Sequence, residues 1–270
     1  MEARILTWNV WWQFGPWRER QEAILAVLRE QNADVVFLQE TFGQEGGLDQ
    51  ADWLAEELNM YVARTDGPWY EGGVSLGNAI LSRWPVVQWQ VHRLPDVTGA
   101  PSHRRAVAAQ LDTPFGRWWT VCTHLEYRFD QSATRMAQAE AVCAIVDSLR
   151  EDPEVETPVI LAGDFNAVPD SDEVRMLTGR REPAIPGLVF TDLWETAGEG
   201  TGFTWRRDNP YIADSTWPNR RLDYLFVSWP RPRPIGNPTQ VWLAGIDPVG
   251  GVQPSDHAAV VADIRMVAAE

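Results

Sequence analysis

The chain contains no lysine; all 23 of its basic residues are arginine. That removes a P-loop lysine, a Schiff-base lysine and a Ser-Lys dyad from the available chemistry. Cysteine is scarce. Cys122 falls in a strand-like run and Cys143 on the apolar face of a helical pattern, so two buried free thiols are expected, not a disulfide framework. No apolar run approaches the roughly 20 residues of a membrane span, and there is no internal repeat or low-complexity tract. Residues 1–4 lead directly into a strand pattern without a signal-peptide core. A soluble, cytoplasmic protein that works as a monomer away from membranes is expected. Positive charge is short as well: 38 acidic residues against 23 arginines give a formal net charge of −15. Tight, sequence-independent binding to long duplex DNA needs arrays of cations over phosphates and is disfavoured, although a local basic patch is not excluded.

What the chain does have is enough apolar sequence for a substantial core. Hydrophobic residues make up 44% of 270, with no shift in composition to mark a boundary, so 1–270 is read as one domain. Most of the 15 tryptophans are expected to fill the core or line its rim. Strand patterns occupy 4–10, 34–40, 77–82, 86–91, 104–111, 117–125, 158–162, 222–227 and 258–264. The runs at 34–40 and 159–162 are continuously apolar, which suits strands covered on both faces. The segments 104–111 and 117–125 are expected to pair as a hairpin across Thr113-Pro114-Phe115-Gly116. Helical spacing appears at 18–30, with Ala23, Ile24, Val27 and Leu28 inward and Arg20, Glu22 and Arg29 on the opposite face. Further helices are expected at 48–58, 171–177 and 132–150, the last capped by Asp130 or Ser132. Residues 11–17 read as an aromatic turn, the stretch from 178 to about 220 as irregular, and the proline-rich 229–238 as an exposed loop.

Polar side chains recur in or beside these strands, mostly at an end: Asn9, Glu40, His124, Asp164, Asn166, Asp223, Asp256 and His257. The most pronounced case is 158–166, where an apolar run passes through Gly163, which lets the backbone leave the sheet, into Asp164 and Asn166. Taken singly, each has an ordinary explanation. An Asp-x-Asn turn serves turn chemistry, Asp223 is satisfied by an arginine, and His257 is a core histidine. Eight together are harder to dismiss, because packed strands bring such ends to one edge.

In order along the chain, Thr7-Trp8-Asn9, Leu38-Gln39-Glu40, Gly77-Asn78-Ala79-Ile80-Leu81-Ser82, Thr123-His124-Leu125, Gly163-Asp164-Phe165-Asn166, Arg221-Leu222-Asp223-Tyr224 and Ser255-Asp256-His257 resemble the motifs of the endonuclease/exonuclease/phosphatase superfamily. These are metal-dependent phosphoesterases resembling pancreatic-type deoxyribonucleases, abasic-site endonucleases, sphingomyelinases and inositol polyphosphate phosphatases. The resemblance spans nearly the whole chain. It implies an α+β fold, a four-layer α/β/β/α sandwich with two central mixed β-sheets, and an active site at one edge of them. The residues support a coherent chemistry. Glu40 and Asn9, with Asp256 nearby, form a partial oxygen shell for Mg²⁺, with Mn²⁺ the alternative. Asp164 positions and deprotonates water, with Asn166 orienting water or phosphate. Asp223 holds His257 as a cation against the charge growing on phosphate, and His124 acts from another side. Arg105, or its neighbour Arg104, clamps the phosphate. An assignment with His257 as base and Asp164 only orienting uses the same residues. His92 and His103 are read as ordinary surface or strand residues.

The substrate is less legible. Trp205, Arg206, Arg207 and Trp217 lie in a stretch of interleaved aromatic and basic residues that can bind phosphate and stack a base, or can simply cover the core and pair with surface acids. Thr123-His124-Leu125-Glu126, Thr191-Asp192-Leu193-Trp194-Glu195, Thr204-Trp205 and Pro254-Ser255-Asp256-His257 are similar to the tyrosyl-DNA phosphodiesterase branch. The leading expectation is a phosphodiesterase cleaving a nucleic-acid end, a short strand or a nucleotide conjugate. The alternatives are an inositol-phosphate or phospholipid head-group phosphoesterase, and a non-catalytic binding module.

Overall fold

The computed structural model describes residues 1–65, 67, 69–100, 102–150 and 157–267. The elements run β1 (Glu2–Asn9), α1 (Trp17–Gln31), β2 (Val35–Gln44), α2 (Gln50–Leu58), β3 (Tyr61–Arg64), β4 (Trp69–Tyr70), β5 (Val74–Ser82), β6 (Val86–Arg93), β7 (Arg105–Thr113), β8 (Gly116–His124), α3 (Ser132–Leu149), β9 (Ile160–Asp164), α4 (Asp172–Leu177), β10 (Val189–Asp192), α5 (Leu193–Ala197), β11 (Asp223–Trp229), β12 (Pro238–Ala244) and β13 (Ala259–Arg265). One sheet has the order β12-β13-β1-β2-β5-β3, with β4 joined to β5; the other has the order β10-β11-β9-β8-β7-β6. Each is mixed, because β1/β2 and β8/β9 pair in parallel while their other neighbours are antiparallel.

The alternation of side chains along each strand creates the layers. Ile5, Phe37, Cys122, Ile160, Ala162, Leu225 and Val260 point between the sheets into one apolar cluster. Their neighbours Leu6, Leu38 and Val261 face outward against Ile24, Leu28 and Leu54 of α1 and α2. Val121, Leu161 and Phe226 face outward on the other side, against Val142 and Val146 of α3 and Val174 of α4. The result is a four-layer α/β/β/α sandwich. Cys122 and Cys143 are both free and buried. The hairpin runs from Ala106↔Thr123 to Thr113↔Gly116.

Several expectations are corrected. Arg20, placed by spacing on the polar face of α1, is fully buried. Neither Asp130 nor Ser132 caps α3: the capping position is Gln131 without a side-chain bond, and Ser132 Oγ instead donates to Glu173 Oε1 at 2.9 Å. The stretch read as irregular contains β10 and α5, too short to show a period. The 229–238 segment is only partly exposed: Trp229, Arg233 and Pro234 are exposed, while Arg231 ties the loop down through Nε to Ile235 O (2.9 Å) and Nη1 to Thr191 Oγ1 (3.0 Å). The edge strand β12 went unread because it is only partly covered.

Gly163 has a stricter role than leaving the sheet. It lies within β9 at φ 149°, opposite Thr123 in the parallel pair, and a Cβ there would sit 1.9 Å from Thr123 O. Only glycine fits so close an approach. Gly163→Ala is expected to cost about 3 kcal/mol, the upper end for overpacking a rigid core, read as a lower urea midpoint at unchanged slope.

Candidate active site

The period of two that builds the core also aims the site. Asp164 follows Ile160 and Ala162 on the inner face of β9, His124 follows Cys122 on β8, Asp223 precedes Leu225 on β11, and Asn9 follows Ile5 on β1. Asp164 is level with both His124 and Asp223 in the sheet register. Glu40 is the exception. Simple alternation after Phe37 and Gln39 would turn it toward the helices, but a bulge between Gln39 and Thr41, with Glu40 at φ 58°, breaks the alternation. Its Oε1 then accepts from Asn9 Nδ2 at 3.2 Å.

Asp164 Oδ2 is the centre of the constellation. It accepts from Asn9 Nδ2 (3.0 Å) and faces His124 Nε2 (3.5 Å) and His257 Nε2 (3.9 Å). Its Oδ1 accepts from the backbone N–H of Asn166 at 2.8 Å. Burial, with repulsion from Asp223, pushes the Asp164 carboxyl up to about 7. His257 Nδ1 lies 2.8 Å from Asp223 Oδ2, and an ionised carboxylate only accepts, so Nδ1 carries the hydrogen. Burial alone would lower the His257 pKa, but Asp223, Asp256 and Asp164 together hold it well above the usual imidazole value. His124 is driven the other way, well below that value, by burial first and then by Arg104 and His257. Its Nε2 takes a hydrogen from Asn166 Nδ2 (3.1 Å), which also donates to Leu125 O (3.1 Å). His124 is therefore neutral here, whereas the sequence reading gave it the same charge-stabilising task as His257. Asp256 is half-buried at the cleft, and its carboxyl is pushed up to about 7 by burial, with Glu40 adding to the shift and His257 opposing it.

This edge opens into a cleft of about 1160 Å³ with aromatic walls, lined among others by Trp11, Phe14, Tyr70, Tyr127, Phe129, Trp205 and Trp217. Asn9, Glu40, His124, Asp164, Asn166, Asp256 and His257 line it; Asp223 sits behind His257. Arg104 lines it too, 4.0 Å from Glu126. Arg105 does not; it borders a small adjoining recess with Asn78 and His124. Arg206 and Arg207 are likewise outside the lining. Arg206 is bound to Asp208 through Nε (2.9 Å) and Nη2. His103 lines the cleft against the Tyr70 ring, while His92 stays in the edge strand β6.

A model of the Endonuclease/Exonuclease/phosphatase family matches residues 6–257. The chain belongs to this family. It is 27% identical over 213 residues to Protein angel of Drosophila melanogaster, covering 73% of this chain and 57% of that protein, so it spans little more than half of that relative. It is similar in structure to an endonuclease/exonuclease/phosphatase from Beutenbergia cavernae, with 26% identity and a TM-score of 0.74 over 98% of this chain and 72% of that one. It shares its fold with D. rerio TDP2 complexed with single strand DNA product, at 20% identity and a TM-score of 0.73 over 98% and 99% of the two chains. Enzymes of the endonuclease/exonuclease/phosphatase family hydrolyse phosphoester bonds, generally with a divalent metal. No helix among the described residues is long and apolar enough to cross a membrane.

The donor set fits such a metal. Glu40, Asp164, Asp223 and Asp256 gather hard oxygen ligands, Asp223 Oδ1 is buried with no hydrogen-bond partner among the described residues, and the Asp164 and Asp256 carboxyls are displaced upward by burial and by neighbouring carboxylates. Ligand atoms of Asp164, Asp223 and His257 lie within 4.8 Å of one another. Asn9 turns its N–H₂ to the Glu40 and Asp164 carboxylates, and its Oδ1 accepts from Trp11 N at 3.0 Å.

Three residues named in the sequence without a role at the site support it. Ser255 Oγ donates to Asn9 O (2.6 Å) and accepts from His257 N (3.2 Å), joining two site segments. Thr204 Oγ1 accepts from Leu222 N (3.1 Å). Arg20 donates to five backbone carbonyls: Phe14 O (3.0 Å), Val10 and Pro254 O (both 2.8 Å), Trp11 O (2.8 Å) and Trp12 O (2.7 Å). It thus ties the turn after Asn9 to the segment before Asp256, and burial lowers its pKa to about 10. A helical arginine with charged neighbours carries no sequence signal for this. Arg20→Leu should leave these carbonyls buried without donors and cost roughly 3–5 kcal/mol, measured by chemical denaturation.

Proposed function

We propose that the chain is a divalent-metal-dependent phosphodiesterase that cleaves a nucleic-acid end, a short strand or a nucleotide conjugate by attack of water. The observation that carries this reading is an aromatic-walled cleft opening directly onto Asp164 and His257. Rings suit the flat faces of bases, whereas an inositol polyphosphate would call for a wall of cations. The fold neighbour with a single-strand DNA product supports the same substrate class. The net charge of −15 turns the choice toward ends and short strands and away from long duplexes.

Glu40 and Asp256 would hold the cation, Mg²⁺ or Mn²⁺, with Asn9 spacing Glu40 from Asp164. When bound, the cation supplies Lewis acidity to a phosphate oxygen. Asp164 takes the proton from the attacking water, a task suited to a carboxyl raised to about 7. Asn166 orients that water or the phosphate. His257, kept cationic by Asp223, stabilises the charge growing on the phosphate oxygens, and His124 contributes from the other side as a neutral hydrogen-bond partner. Arg104 takes the phosphate-clamping task first assigned to Arg105. Trp205 and Trp217 of the substrate loop contact the nucleotide; Arg206 and Arg207 do not.

Mg²⁺-dependent hydrolysis of bis-p-nitrophenyl phosphate and of a 5′-phosphotyrosyl oligonucleotide tests the reading. Chelation by EDTA should abolish turnover. Asp164→Asn and His257→Ala should each lower kcat roughly a thousandfold with the melting temperature retained; near-full activity in either would remove that residue from its role. Glu40→Ala should shift the Mg²⁺ titration to higher concentration, and an unchanged titration would exclude it as a ligand.

A further inference from the structure

Two loops from opposite halves of the chain meet at the cleft mouth. One follows β8 and brings Phe129; the other precedes β11 and brings Trp217 and Arg220. The Phe129 and Trp217 rings lie 4.3 Å apart between centroids, and the Arg220 guanidinium carbon stands 4.3 Å from the first and 4.8 Å from the second. A cluster made only to close the surface would bury its rings. These remain 47% and 44% exposed and face the cleft.

The cation is equally telling. Of the three arginines lining the cleft, Arg104 and Arg128 both approach Glu126. Among the described residues Arg220 has no such partner: burial and the neighbouring Arg135 lower its pKa, with no carboxylate there opposing them. In a chain with 38 acids, a half-buried guanidinium facing rings and a cleft is poised for an anion from outside. Stacking occupies its flat face and leaves the N–H edges free to donate. Its place follows from the backbone. Trp205 pairs with His257 on one side and exchanges both hydrogen bonds with Arg220 on the other, at 2.9 and 2.8 Å. Arg220 is thus two ladder steps from His257, about 10 Å at the usual strand spacing. That is beyond the phosphate under attack and within reach of the adjoining nucleotide.

We propose that Phe129, Trp217 and Arg220 form the subsite for the nucleotide next to the scissile phosphate, in which an unpaired base stacks on the rings and Arg220 holds that nucleotide's phosphate. The assignment rests on the phosphodiesterase reading. A base inside a duplex has both faces covered by its neighbours, so this subsite selects single strands or frayed ends.

The test is a binding measurement in the Asp164→Asn background, which slows turnover roughly a thousandfold. Fluorescence anisotropy compares a labelled six-nucleotide oligothymidylate with an abasic tetrahydrofuran phosphodiester of the same length and charge. The oligothymidylate should bind more tightly by roughly 5- to 150-fold, and Trp217→Ala should erase most of that preference. Phe129→Leu should reduce it in a side chain already half exposed, with melting temperatures confirming the fold of each variant. Arg220→Gln should weaken both ligands alike and flatten the salt dependence of binding. Equal affinity for the two ligands, a preference that survives Trp217→Ala, or no binding of the oligothymidylate would each overturn the subsite. Failure of wild-type protein to hydrolyse bis-p-nitrophenyl phosphate would instead overturn the phosphodiesterase reading, so the two failures are separable.

Discussion

The carboxylate of Asp164 lies one residue beyond the point where β9 presses against β8 so closely that Thr123 O would meet any Cβ at residue 163. That contact fixes the height of β9 in its sheet, and with it the levels of His124 and Asp223, which are the register partners of Asp164 on either side. Three ionisable groups from strands distant in sequence are placed by backbone pairing alone, before any of their side chains interact. The facing sheet supplies Asn9 and Glu40, and Asn9 Nδ2 bridges the gap between the sheets by donating to Glu40 and Asp164 together.

Crowding these groups away from water has an electrostatic consequence. Asp164 and Asp256 resist ionisation, His257 resists losing its proton, and His124 resists gaining one. Two imidazoles at one edge are thereby driven in opposite directions, because His257 rests on Asp223 while His124 faces an amide of Asn166 and the charge of Arg104. A raised carboxyl beside a cationic imidazole is the division of labour that the proposed attack of water on a phosphodiester would use. The carboxylates gathered at this edge make the pocket receptive to a divalent cation.

Around this centre the structure relies on hidden polar ties. Arg20 gathers five carbonyls from the Asn9 turn and the Pro254 segment, and Ser255 links Asn9 to His257. Such ties hold loops that the sheets do not reach. A buried guanidinium that satisfies carbonyls makes stiffness out of backbone groups that would otherwise be costly to bury.

Much of this was legible in the residues themselves. The continuous apolar runs at 34–40 and 159–162 pointed to buried strands ending in Glu40 and Asp164, and polar residues in or beside the other strand patterns added Asn9, His124, Asp223 and His257 as neighbours in space, because strand ends converge when strands pack. The family motifs carried the four-layer fold. The choice between Arg104 and Arg105 was not legible, since adjacent residues at a strand start point to opposite sides and only packing says which side is the cleft. Nor was the turn of Glu40, which depends on a bulge against β5, or the burial of Arg20, which needs the preceding turn folded back over it and one acceptor, Pro254 O, from 234 residues away. Local pattern reports which residues alternate, and the motifs report a family. Which loops meet at the cleft mouth, and so bring Phe129, Trp217 and Arg220 together, was decided by tertiary structure, because those contacts join segments whose sequences carry no information about each other.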